Sequence, residues 1–156
     1  MTTLYRATTS GYEGVGSHWS TSRGDAEAYT AAGVGRGGGT VIARRVSPDD
    51  IVLRVSSSVE LAREVVAAMN ADELTRLERE LGGGVIEDVV RGMYPFQVLE
   101  GDAAAVLGRR SVMYDVPSIL ARVADWVVFS EPRVGDAMLV CETWRRLDDR
   151  HELLPA

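Results

Sequence analysis

The chain contains no lysine: all 17 of its basic residues are arginines. This excludes Schiff-base chemistry on lysine and the phosphate-binding lysine of a P-loop or a kinase. Arginine codons are GC-rich and lysine codons AT-rich, so the bias points to a GC-rich bacterial or phage source. Cysteine is nearly absent too. Cys141 is the single one, so no disulfide forms within the chain. With only His18 and His151 beside it, the usual zinc donor set is missing, and no metal is expected. Cys141 stands in an apolar run and reads as a small core residue. No apolar run reaches the ~18 residues of a membrane helix, and the N-terminus lacks a basic-then-apolar signal pattern. The expected compartment is the cytoplasm, with no membrane partner.

Positive charge is in short supply. The net charge is −6 and the sequence pI about 4.9, whereas a nonspecific nucleic-acid binder is expected to be basic. The pairs Arg44-Arg45, Arg109-Arg110 and Arg145-Arg146 do not form a basic stripe. Nucleic acid is not an expected partner. The remaining composition, 46% hydrophobic and 26% charged over 156 residues, suits one globular domain covering 1–156.

The hydrophobic pattern predicts an α+β domain: mostly antiparallel strands, a helical block, then strands again. Strands are expected at Thr3 to Thr8, His18 to Ser22, Thr40 to Val46 and Ile51 to Val55. Ser10 to Ser17, with three glycines, reads as a loop, and Asp25 to Ala31 as a short helix capped by Ser22 or Gly24. Helical periodicity runs through Ser58 to Asn70 and Asp72 to Leu81, with Ser57 or Ser58 as N-cap of the first. Gly82-Gly83-Gly84 ends the second, and Val85, Ile86, Val89 and Val90 mark a third. Asp102 to Leu107 reads as a small helix, Val112 to Asp115 as a strand, and Pro117 to Ala124 as a helix with proline in its first turn. Trp126-Val127-Val128-Phe129 is expected to be a strand buried on both faces, Ala137 to Trp144 a final strand, and the charged tail solvated.

Gly33-Val34-Gly35-Arg36-Gly37-Gly38 formally matches a dinucleotide fingerprint. That motif requires a strand before it and a helix after it. Here the order is reversed, so the segment reads as a loop, with Arg36 a candidate to reach phosphate from a lid. No Gly-x-Ser-x-Gly elbow is present.

The opening residues carry the chemical signal. Leu4-Tyr5-Arg6 on a strand is followed by Trp19-Ser20-Thr21-Ser22 on another, then by Ala26-Glu27-Ala28-Tyr29 on a helix. This ordered set, with Gly38-Gly39-Thr40-Val41-Ile42-Ala43 and the Pro48-Asp49 turn after it, resembles the Arg-Ser-Glu class of ADP-ribosyltransferases over about residues 4 to 53. The resemblance implies an ADP-ribosyltransferase-like fold and NAD as ligand. It implies that Arg6 anchors NAD, that Ser20, with Thr21 and Ser22, orders the ribose, and that Tyr29 packs on nicotinamide. Cleavage of the nicotinamide–ribose bond passes through an oxocarbenium-like ribose, so a carboxylate is needed beside it.

The family places a glutamate at the start of a late apolar strand. Asp125 stands there in this chain, one methylene shorter, and Glu131 and Glu142 are the other late acids. Asp125 and Glu131 share strand parity but lie about 20 Å apart at ~3.3 Å per residue, too far to serve one ribose. Glu142 shares its parity with Met138, Val140 and Trp144, where a carboxylate is costly unless paired or functional. The acid therefore stays divided among Asp125, Glu131 and Glu142. His18, directly before the Trp-Ser-Thr-Ser run, reads as structural or as a polar group at the pocket rim. The expected function is NAD-dependent mono-ADP-ribosylation of a protein acceptor, as a bacterial or phage effector. The alternatives are a catalytically degenerate binding or inhibitor protein of the same fold, and an NAD glycohydrolase.

Overall fold

The computed structural model describes residues 2–31, 39–92, 96–98, 104–107, 112–132 and 140–156. The strands are Thr3–Thr8 (β1), His18–Ser20 (β2), Thr40–Arg45 (β3), Val52–Val55 (β4), Phe96–Val98 (β5), Ala104–Leu107 (β6), Val112–Asp115 (β7), Trp126–Pro132 (β8), Val140–Arg146 (β9) and Leu154–Pro155 (β10). The helices are Arg23–Ala31 (α1), Ser58–Ala68 (α2), Ala71–Leu81 (α3), Val85–Val90 (α4) and Val116–Leu120 (α5). The architecture is α+β, with one seven-stranded sheet in the order β10-β3-β1-β2-β9-β8-β4 and one three-stranded sheet in the order β5-β6-β7. Among the described residues no helix is long and apolar enough to cross a membrane.

The chain divides into two compact units, Met1–Arg54 with Ala124–Ala156, and Val55–Val123. In the first, β1 runs antiparallel to β2 and β3, β9 to β2 and β8, and β10 to β3. Directly opposed residues share a face of a sheet, so the register sorts side chains into two sets. Arg6, Trp19, Trp144 and Val128 fall on one face; Tyr5, Ser20, Thr143 and Phe129 fall on the other.

The first face carries the core. Leu4, Trp19, Val46, Trp126, Val128 and Trp144 are buried together, with Ile42, Val52 and Leu153 packed against them. Trp126 meets Trp19 edge-on at 6.4 Å between centroids and Trp144 at 5.8 Å. Such edge-to-face pairs add about 1 kcal/mol each beyond the area they bury. Trp126, Val127 and Val128 are all buried, as the continuous apolar run predicts. On the opposite face α1 packs on β1, β2 and β3, and Ala26 is its buried residue.

The second unit holds α2 to α5 and the small sheet. Ser57 caps α2 by accepting from the Glu60 amide, and the helix buries Leu61, Ala62, Val65 and Val66, with Met69 just beyond its end. A capping box starts α3: Asn70 accepts from the Glu73 amide and Glu73 accepts from the Asn70 amide, each at 2.9 Å. Arg122 pairs with both oxygens of Glu73 and also donates to the Ala68 carbonyl, tying the chain after α5 to the α2–α3 corner.

Two expectations are corrected. Asp102 to Leu107 reads as helix because alanine favours it, but 104–107 is a strand paired on both sides, by β5 and by β7. Cross-strand pairing outweighs a propensity of a few tenths of a kcal/mol per residue. The tail is not simply solvated. Leu147 is buried, and Leu154 and Pro155 pair with Arg45 and Arg44 at the edge of the large sheet.

Trp144→Ala removes the centre of the aromatic core and is expected to cost about 3–5 kcal/mol in urea denaturation. The Arg122 hydrogen bond is the main cause that holds the Glu73 carboxyl below its ordinary value of 4.5. A carboxyl depressed by folding contributes stability that is complete above its unfolded value and lost as pH falls through its folded one. Stability measured below about pH 4.5 should therefore fall less steeply in Glu73→Gln than in the parent chain.

Candidate functional site

The motif strands, far apart in sequence, are consecutive neighbours in the large sheet. β1 carries Arg6, β2 carries Ser20, β9 carries Glu142, and β8 carries Glu131 and begins just after Asp125. The sheet thus gathers the expected residues into one region, but it does not direct them to one point.

Arg6 is occupied. Its Nε donates to the Tyr12 carbonyl at 2.9 Å and its Nη1 to the His18 carbonyl at 3.0 Å. Burial pushes its pKa below the ordinary arginine value, against a smaller upward pull from Tyr12 and Glu13. The guanidinium stays charged and pins the 9–17 loop to the first residue of β2. That loop is tightly drawn. Tyr12 donates its hydroxyl to the Val15 carbonyl at 2.7 Å, and Gly14 sits so close that an added Cβ would meet the Tyr12 hydroxyl at 2.7 Å. Gly16 takes φ 86°, and its amide donates to the Arg146 carbonyl at 2.8 Å.

Ser20 and Ser22 act locally. Ser20 accepts from the Ser22 amide at 3.0 Å, and Ser22 accepts from the Asp25 amide at 3.2 Å. The pair turns the chain out of β2 and caps α1. Thr21 between them is half-buried. Tyr29, expected against a ring, is 61% exposed on α1. Tyr5, on Ser20's face, lies under the Arg23 guanidinium at 6.0 Å. Arg36 lies outside the described residues.

The three acids separate clearly. Asp125 is 1% exposed. Its Oδ2 accepts from the Ile51 amide at 2.8 Å, and its Oδ1 from Arg150 Nε at 3.0 Å and Nη2 at 2.9 Å. Glu142 lies on the tryptophan face. Its Oε1 takes Arg54 at 3.0 Å and its Oε2 takes the Trp144 indole at 3.2 Å, with Arg54 stacked 5.3 Å over that indole. Glu131 is opposite Cys141, two residues along from Phe129, which is opposite Thr143, which in turn is opposite Ser20.

A second cluster escaped the sequence. Asp50, Asp125 and His151 bring one ligand-type atom each to within 4.8 Å of one another. The Asp50 carboxylate is paired with His151 Nδ1 at 2.7 Å and accepts from the Trp126 indole at 2.8 Å. Each carboxylate oxygen of the two aspartates thus has a nitrogen partner, and Arg150 brings a positive charge to the cluster. The cluster is a closed latch that holds the tail to the start of β8. Its only sequence signal was the position of Asp125 against an apolar run; Asp50, Arg150 and His151 read as turn and tail.

His18 and Arg145 face each other across β2 and β9, on Ser20's face. His18 is exposed, but its ring is partly desolvated by its surroundings, which lowers its pKa first, and the cations of Arg145 and Arg6 lower it further. Neither a family model, nor a curated protein, nor a solved structure matches this chain.

Replacing Asp125 by alanine orphans the Ile51 amide, takes from Arg150 its buried acid, and is expected to cost about 2 kcal/mol. Asp125→Asn keeps the side chain's shape and one acceptor oxygen, and should cost less stability in urea denaturation than Asp125→Ala.

Proposed function

We propose that the protein is an NAD-dependent mono-ADP-ribosyltransferase that holds NAD across the face of the large sheet bearing Ser20. One observation carries the reading: β1, β2, β9 and β8, which hold the ordered Arg-Ser-acid set, are consecutive strands of one sheet. The choice of face follows from packing. Arg6's face is filled by three buried tryptophans, whereas His18 and Thr143 are exposed and Tyr5 and Ser20 half-buried on the other.

On that face the Ser20 hydroxyl is the group for the ribose hydroxyls, and the acid is Glu131, whose strand is in register with Ser20 through β9. With two strand spacings of about 4.8 Å between them and a two-residue offset of about 7 Å, their Cα positions lie about 12 Å apart. That separation excludes a direct hydrogen bond and leaves room for a ribose between. In the reaction the bond from ribose C1′ to the nicotinamide nitrogen breaks, and nicotinamide leaves with the electron pair. The acceptor side chain bonds to C1′ and gives up its proton. A fixed carboxylate beside C1′ stabilises the positive charge that develops.

A specific observation favours a second reading, binding of NAD without turnover: Arg6, Asp125 and Glu142 are all committed to partners within the chain. Incubation with labelled NAD and a bacterial lysate separates the two. Labelled protein that disappears with Glu131→Gln supports transfer, and free ADP-ribose without a labelled protein points to glycohydrolysis. NAD binding with neither product supports the second reading. Absence of any NAD binding by the folded chain overturns both.

A further inference from the structure

An NAD site needs a cation for the diphosphate, and Arg6 does not stand on the proposed face. Two strand residues do, whereas Arg23 of α1 lies over Tyr5 and pairs with Glu27. His18 is opposite Arg145, and the next pair on the same face is Ser20 opposite Thr143. Opposed Cβ atoms lie about 5 Å apart across strands, and successive same-face residues about 7 Å apart along them. The four residues therefore form a polar block of two cation-capable groups and two hydroxyls. His18 and Thr143 are exposed, and Ser20 and Arg145 half-buried.

We propose that His18 and Arg145 form a diphosphate-binding element, with Ser20 and Thr143 as neighbouring hydroxyl donors, for a nucleoside diphosphate group such as that of NAD or ADP-ribose. The assignment deepens the NAD reading and rests on it for the identity of the ligand, but not for its phosphate chemistry. Arg145 beside His18 disfavours the charged imidazole, and an anion bound between the two groups relieves that. Two adjacent phosphates match the planar fork of arginine beside an imidazolium. Arg145 already makes an interaction within the chain, and a guanidinium offers five N–H donors in all.

The low His18 pKa agrees with this placement. The charges acting on the ring are Arg145 across on β9 and Arg6 on β1. Its β1 neighbour on the same face is Ala7, which carries none. A bound diphosphate favours the charged imidazole and must raise its pKa.

The test uses the full chain in phosphate-free buffer, with inorganic pyrophosphate and NAD as separate probes. The His18 titration is followed by NMR, and affinities are measured by calorimetry for the parent, Arg145→Gln and Arg145→Lys. Pyrophosphate should raise the His18 midpoint, Arg145→Gln should weaken pyrophosphate and NAD about tenfold or more, and Arg145→Lys should recover part of that loss. A raised midpoint with pyrophosphate but no competition from NAD keeps the diphosphate site and removes the NAD reading. NAD binding that is equal in parent and Arg145→Gln, with the His18 midpoint unmoved, overturns the site and leaves the NAD reading standing. Should Arg145→Gln fail to fold, the His18 midpoint in the parent chain decides: a rise with saturating pyrophosphate supports the site, and no change overturns it.

Discussion

The first unit depends on one buried carboxylate. Asp125 stands where the chain enters a strand buried on both faces, and a polar side chain there is costly without hydrogen-bond partners. It finds them in the Ile51 amide and in Arg150. Its backbone adds a second set of ties: its amide donates to the Ile51 carbonyl, and its carbonyl accepts from Leu147 and Asp148. One residue thus joins the approach to β4, the start of β8 and the chain leaving β9. Asp50 repeats the arrangement from the other side, binding the Trp126 indole and His151. This acceptor satisfies the Trp126 N–H within the edge-on three-tryptophan core.

That constraint decides which residues are left for chemistry. An acid engaged by an amide and an arginine fork is poorly suited to answer a ribose. Glu142 is engaged in the same sense by Arg54 and Trp144, and Arg6 by two carbonyls. What remains lies on the opposite face, where the sheet aligns hydroxyls and cation-capable groups instead of indoles. The two faces divide the work: one holds the fold together, and the other presents polar groups at the spacing of a cross-strand pair.

Much of the local structure was legible in the sequence. β1, β3, β7 and β8 follow from β-branched and apolar runs, and α2 and α3 from their helical periodicity, because these signals depend on near neighbours alone. Ser57 is legible as a cap for the same reason. The strand at 104–107 was not, since the alanines that suggest helix are overruled by β5 and β7 on either side. Nor was the tail, whose charged residues look solvated until Arg150 and His151 are seen to meet Asp125 and Asp50.

By itself the sequence determined the α+β class and the buried late strand. Composition and periodicity suffice for both. Only the tertiary structure decided which residues share a face. A shift of one residue in strand register moves a side chain to the other side of the sheet, and register is set by pairing with strands distant in the chain. That is why Arg6 and Ser20, adjacent in the motif, stand on opposite faces, and why His18, Arg145, Ser20 and Thr143 come together.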